Sequence, residues 1–160
     1  MQVFILDVDG VMTTGHFLYD SNGKAFKIFG PDDADGLNLL KEHLKIQFVS
    51  ADKRGFEISK KRIVDDMGYE LDCVSSKDRL NWISKKFDLK DVIYMGDGFF
   101  DHLIMKKVGY SISPQNGDPN AVSASDFVTQ RKGGDRAVAE ACVHIIEKFF
   151  KWGISNETNT

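Results

Sequence analysis

Three apolar runs in this chain end alike, and that shared ending constrains the fold more than any other feature. "VFILDVD" (residues 3–9) closes on Asp7 and Asp9, "IQFVS" (46–50) on Ser50, and "VIYMGDGFFD" (92–101) on Asp97, with Asp101 one helical turn further on. Short runs rich in Val, Ile and Phe read as buried strands. Between and after them lie segments whose apolar residues recur every three to four positions: Leu37, Leu40 and Leu44; Phe56, Ile63, Val64 and Met67; Leu80, Ile83 and Phe87; Val138, Ala141, Cys142, Ile145, Ile146 and Phe149. Each set marks one buried helix face. Alternating strands and helices predict an α/β domain, a Rossmann-like three-layer sandwich around a central parallel sheet. Further strands are expected near Tyr110–Ile112 and at Phe127 and Val128, with a short one in "LDCVSSK".

One segment breaks the alternation. In "HFLYDSNGKAFKIF" (residues 16–29) two alternating runs flank Asn22-Gly23, the strongest short hairpin signal, so an antiparallel β-hairpin of about residues 15–29 is inserted after the first strand. The intervals between the polar strand ends hold too little chain for a separate lid, so no cap domain is expected. The boundaries read as one domain over residues 1–152 and a polar C-terminal tail over 153–160.

At 160 residues, 42% hydrophobic and 28% charged, the chain has the composition of one soluble domain rather than a disordered or membrane-spanning one. A net charge of -3 argues against nucleic acid as a partner. Met1 leads straight into a strand with no basic segment or cleavage site, from which a cytoplasmic location and no membrane association are expected. Cys73 and Cys142 then read as reduced core thiols.

Carboxyl ends of parallel strands share one edge of a sheet, where ligands bind. Asp7, Asp9, Ser50, Asp97 and Asp101 should therefore converge. Period two turns Asp7 and Asp9 to the same side of the chain, and Lys77, opening a helix, can bring an ammonium to the same edge. Hard oxygen ligands from Asp7 and Asp97, with a backbone carbonyl nearby, suit Mg²⁺, while Ser50, Lys77 and free backbone amides suit a phosphate. A metal, a phosphate and a spare carboxylate make a phosphoryl-transfer site. His16, His43, His102 and His144 share no metal-ligand spacing and read as surface or packing residues.

Asp7-Val8-Asp9-Gly10-Val11, Ser50, Lys77 and Gly96-Asp97-Gly98-Phe99-Phe100-Asp101, in that order, resemble the four motifs of the haloacid dehalogenase superfamily. Over nearly the whole chain the likeness is to its capless branch, typified by 3-deoxy-D-manno-octulosonate 8-phosphate phosphatases. The resemblance implies an aspartyl-phosphate mechanism. Asp7 would be the nucleophile, since a carboxylate is already ionised at neutral pH. Asp9 would be the general acid and then the general base. Ser50 and Lys77 would hold the phosphoryl oxygens. Mg²⁺ would sit on Asp7, Asp97 and the carbonyl of Asp9, with Asp101 fixing the metal site or orienting Lys77. It also implies a homotetramer whose hairpins assemble and cover neighbouring active sites, standing in for the missing lid.

The chain departs from that branch near the mouth of the site, at Asp32-Asp33-Ala34, Ser50-Ala51-Asp52 and Gly133-Gly134-Asp135-Arg136. Asp33, Asp52, Arg62, Arg131 and Lys132 are the candidates for touching the rest of a phosphorylated sugar acid. The "RKGG" segment (131–134) reads either as the run-in to the last helix or as a substrate-closing loop. A nonulosonate 9-phosphate is the alternative substrate, because that branch often has an acidic residue near Asp52. From other functional classes, a receiver-like phospho-binding module or an inactive structural oligomer would share part of the pattern.

Overall fold

The computed structural model describes residues 1–151, and the expected tail over 153–160 lies outside them. Six parallel strands form the central sheet: β1 (Val3–Asp7), β4 (Lys45–Ser50), β5 (Glu70–Cys73), β6 (Val92–Met95), β7 (Tyr110–Ser113) and β8 (Phe127–Val128). They stand in the order β5-β4-β1-β6-β7-β8, and the hairpin strands β2 (Leu18–Asp20) and β3 (Gly23–Phe26) pair separately and antiparallel. The helices are α1 (Asp33–Leu40), α2 (Phe56–Lys60), α3 (Arg79–Lys86), α4 (Asp101–Met105), α5 (Pro119–Ala124) and α6 (Ala137–Ile145). π-helical turns extend α2 over Lys61–Asp66 and α6 over Ile146–Phe150.

β1 occupies the middle of the sheet because both of its faces are apolar. Phe4 and Leu6 enter one core with Phe48, Met95, Leu37, Leu40, Val138 and Cys142, against α1 and α6. Val3 and Ile5 enter the other with Val49, Tyr94, Ile83 and Ile104, against α3 and α4. A strand covered on both sides loses the polar alternation of a half-exposed one. Each fully buried side chain of this size is worth about 1.5–3 kcal/mol over exposure, so the three layers fix β1 firmly. β1 pairs with β4 and β6 in register, Asp7 standing opposite Val49 and Leu6 opposite Met95. That register puts the ends of β1, β4 and β6 at one edge.

Two expectations change here. Asp33 is not at a substrate mouth: it is buried at 1% exposure and its carboxylate accepts a hydrogen bond from the Ala139 amide at 2.9 Å. It caps α6 from another helix, because Arg136, at the helix start with φ 71°, makes no side-chain cap of its own. Of the two thiols only Cys142 is in the core, whereas Cys73 is exposed on the edge strand β5.

Candidate active site

The turn after β1 is closed by the side chain of Thr13, whose hydroxyl accepts from the amides of Gly10 at 3.1 Å and Gly15 at 3.2 Å. Gly10 has φ +81°, and a Cβ there would collide with the carboxylate of Asp97. Only glycine satisfies both demands, so the residue after Asp9 is what lets the ends of β1 and β6 approach. On the other side of the turn the Gly134 amide donates to the Val11 carbonyl at 3.2 Å, and Gly133 fits against the Gly10 carbonyl where no side chain could stand. The "RKGG" glycines thus serve as close packing for the β1 turn.

Asp7, Asp97 and Asp101 bring carboxylate oxygens within 4.8 Å of one another. Burial first, and then repulsion from Asp7 and Asp101, push the Asp97 carboxyl up to about 8. Burial also raises Asp7 to about 6, against the opposing pull of Arg79. Three converging carboxyls, crowded enough to favour their protons and only partly offset by a neighbouring cation, all offer hard oxygen and fit a divalent cation. Asp101 is itself oriented on both oxygens: one accepts from the Tyr94 hydroxyl at 2.6 Å, the other from the Gly98 amide at 2.7 Å.

The cation in this cluster is Arg79, not Lys77. Lys77 lies exposed on the turn before α3. Arg79, two residues on and 2% exposed, directs Nη1 to Asp7 Oδ2 at 3.0 Å, the Tyr94 hydroxyl at 2.9 Å and Asp101 Oδ1 at 3.5 Å. Burial works against its charge, but Asp7, Tyr94 and Asp101 outweigh that and raise its affinity for the proton further. A signal for Arg79 was present in the sequence: it lies four residues before Ile83, on the buried face of α3.

Asp9 stands beside this cluster in a different environment. One oxygen pairs with Lys27 Nζ at 2.8 Å and the other accepts from the Ser50 hydroxyl at 3.1 Å. Lys27 and Lys24 come from the hairpin and both reach Asp52, at 2.9 Å and 2.7 Å. Burial alone would raise the Asp52 carboxyl, but the two lysines hold it down to about 2. Neither lysine stood out in the sequence, where the hairpin's apolar alternation drew attention to its aromatic residues.

Asp7, Asp9, Lys24, Asp52 and Arg79 line a cleft of about 300 Å³, with Phe17 of the hairpin on its rim. Of the other substrate candidates, only Asp52 is there. Arg62 lines a separate hollow of about 250 Å³ with Asn38, Asp66 and Met67. Arg131 and Lys132 are exposed, and Arg131 lines a further hollow with Phe127, Arg136 and His144.

Comparisons with known proteins converge with this geometry. The family model of haloacid dehalogenase-like hydrolases matches residues 11–141. The chain is 28% identical over 152 residues to the 3-deoxy-D-manno-octulosonate 8-phosphate phosphatase KdsC of Salmonella typhi, covering 89% of this chain and 77% of that one. Its fold matches the corresponding phosphatase of Moraxella catarrhalis, solved with a magnesium ion, a phosphate ion and KDO, with a TM-score of 0.81 at 26% identity over 92% and 86% of the two chains. It also matches the cobalt-bound phosphatase YrbI of Haemophilus influenzae, with a TM-score of 0.79 at 25% identity over 92% and 88%. The match is to hydrolases, which sets aside both the receiver-like module and the inactive oligomer. The chain belongs to the haloacid dehalogenase-like hydrolases and is a phosphatase of that family.

Proposed function

We propose that this phosphatase hydrolyses the phosphomonoester of a small phosphorylated sugar acid, foremost 3-deoxy-D-manno-octulosonate 8-phosphate, through an aspartyl-phosphate on Asp7. The observation that carries the reading is the division of labour at the end of β1. Asp7 faces Arg79 and two further carboxylates, while Asp9, two residues on, is held apart from them by Lys27 and Ser50.

Asp7 attacks phosphorus, and the bond from phosphorus to the sugar oxygen breaks as Asp9 delivers a proton to that oxygen. Asp9 then takes a proton from water, which attacks the aspartyl-phosphate, releases phosphate and regenerates the Asp7 carboxylate. Arg79 holds the phosphoryl oxygens in place of Lys77, whereas Ser50, expected to share that role, gives its one hydroxyl proton to Asp9 Oδ2. Asp7, Asp97 and the carbonyl of Asp9, with Asp101 beside them, would hold Mg²⁺, which supplies neutralisation of the phosphoryl charge. Arg79 is also held in place by Tyr94 and Asp101, so it meets the phosphate already oriented.

The cleft is open and its rim belongs to the hairpin, whose Phe17, Leu18, Tyr19, Phe26 and Ile28 are all exposed. A two-stranded ribbon cannot bury such a set alone. A homotetramer that packs hairpins together supplies both the burial and the cover.

The deciding experiment is phosphate release from a panel of phosphorylated sugar acids, with Mg²⁺ and after chelation. The octulosonate 8-phosphate should be turned over at least tenfold more efficiently than nonulosonate 9-phosphates, and chelation should stop turnover. Preference for a nonulosonate would reassign the substrate, and release from none of them would overturn the reading.

A further inference from the structure

The hairpin carries more than an assembly surface, because one of its lysines is built into the site. The Lys27 side chain is fully buried, at 0% exposure, although the residues on either side of it, Phe26 and Ile28, are exposed. An ammonium has three N–H donors. Those of Lys27 have three acceptors from three different parts of the chain: Asp9 Oδ1 at 2.8 Å, Asp52 Oδ2 at 2.9 Å and the Ser59 hydroxyl at 2.7 Å. With every donor engaged, Lys27 has none left for substrate. Its neighbour Lys24 differs, pairing with Asp52 and standing 3.7 Å from the Phe17 ring centroid at the cleft.

A buried charge is costly unless its partners are well placed, and apolar packing would staple a hairpin with less penalty. What the ammonium does that an apolar group could not is grip a carboxylate. Asp9 has one oxygen on Lys27 and the other on Ser50, so two donors from separate elements fix the plane and direction of its carboxylate. Each oxygen keeps a second lone pair for the reaction.

We propose that Lys27 is a positioning residue: its buried ammonium, anchored on Asp52 and Ser59, holds the Asp9 carboxylate in the orientation needed for proton transfer. This rests on the reading of Asp9 as the acid that protonates the leaving sugar oxygen. Docking of the hairpin and alignment of the acid are then a single event, and a displaced hairpin leaves Asp9 unaligned.

The test compares kcat/KM for two substrates, since kcat/KM reports steps only through departure of the first product. KDO 8-phosphate loses an alkoxide that needs a proton, whereas p-nitrophenyl phosphate loses a phenolate that does not. In Lys27→Met the ratio of the two kcat/KM values should shift against the sugar phosphate by about tenfold or more. Lys27→Arg should recover part of that shift. Ser59→Ala, which removes an anchor without touching Asp9, should move the ratio the same way by less, and keeps the test available if Lys27→Met does not fold. Equal losses on both substrates would reduce Lys27 to a staple and overturn the proposal. A crystal structure of Lys27→Met or Ser59→Ala gives a readout independent of activity: Asp9 should leave its present orientation, and an unmoved Asp9 in both would overturn the proposal as well. Failure of the wider reading is separately visible, as wild-type protein that hydrolyses neither substrate.

Discussion

Arg79 Nη1 lies 3.0 Å from Asp7 Oδ2, so the first residue of α3, rather than the turn before it, delivers the cation to the end of the central strand. The guanidinium also meets Tyr94 and Asp101 and is 2% exposed. A charge held this way can oppose the anionic charge of Asp7 and of a phosphoryl group without having to reorganise.

Replacing Arg79 should therefore be far more damaging than replacing Lys77. Arg79→Met removes the one guanidinium in the cluster and should lower kcat/KM by about 10²–10³-fold, the usual effect of deleting a preorganised charge-stabilising donor. Lys77→Ala, on the exposed turn, should stay within about threefold of wild type. Steady-state kinetics on both variants decide the matter, and the reverse ranking would return the role to Lys77.

Asp7→Asn should abolish turnover while leaving the fold intact, because an amide cannot form the aspartyl-phosphate. Circular dichroism and a thermal melt check the fold, and phosphate release checks the loss. A variant that keeps a substantial fraction of wild-type activity would exclude Asp7 as nucleophile.

The acidic cluster gives the metal-free protein a definite pH dependence. Asp97 is raised from the ordinary carboxylate range to about 8, chiefly by burial and then by Asp7 and Asp101. A folded-state value above the unfolded one means the folded form holds its proton more tightly. That contribution to stability is complete below about pH 4 and is lost as the pH rises through about 8. Between pH 5 and 8 the chelated protein should lose on the order of 3 kcal/mol from this group. Asp97→Asn should flatten the profile, and added Mg²⁺ should stabilise wild type most at the alkaline end. Chelated melts that do not change over this range would contradict the cluster's electrostatics.

Much of the fold could be read from the sequence, because β1, β4 and β6 are covered on both faces and so appear as apolar runs, broken in β4 only by the buried Gln47. The edge strand β5 showed only weakly, since Glu70 and Cys73 are exposed and dilute its pattern. The carboxylates of the site were legible for the same reason as the strands that end in them. Its hairpin cations were not, and Arg79 showed only as a position on the buried face of α3. Lys24, Lys27 and Arg79 reach the site through long side chains from a hairpin and a helix start, and their targets depend on how those elements dock. Arg62 is a candidate in the sequence because its charge could meet a substrate carboxylate, but it lies on the turns over Lys61–Asp66 and lines a separate hollow. Arg131 and Lys132 drew attention as charges, whereas what their segment contributes to the site is the two glycines after them, packed on the β1 turn.

Asp33 links the first helix to the last. Its carboxylate caps α6 at Ala139 while burial raises it to about 6, with neighbouring Asp32 and Asp135 adding to the rise against the backbone bonds that lower it. Here too the folded-state value is raised, so stability is lost as the pH climbs from about 4 through about 6. Asp33→Asn keeps an acceptor for the Ala139 amide and removes the charge. Its stability relative to wild type should improve by about 2 kcal/mol between pH 4.5 and 7.5. Asp33→Ala loses the cap and should cost about 1 kcal/mol at low pH, where the wild-type group is neutral. Denaturant titrations at the two pH values separate these effects, and parallel profiles for wild type and Asp33→Asn would show that the group does not titrate between them.

The hairpin should govern assembly. Phe26 is 68% exposed, Tyr19 59% and Phe17 53%, on a ribbon that pairs with no other strand of the sheet. In the proposed assembly other copies of the chain would cover them, and closed symmetry favours a tetramer. Phe26→Lys with Tyr19→Lys places charges on that face while leaving Lys24 and Lys27 in position. Sedimentation velocity should show wild type as the proposed tetramer and the double variant as smaller species. Turnover of a sugar phosphate should fall more than that of p-nitrophenyl phosphate, because a larger substrate needs more of the cover a neighbouring hairpin supplies. Wild-type protein that sediments as a fully active monomer at assay concentration would refute the arrangement and leave the exposed aromatic face to be covered some other way.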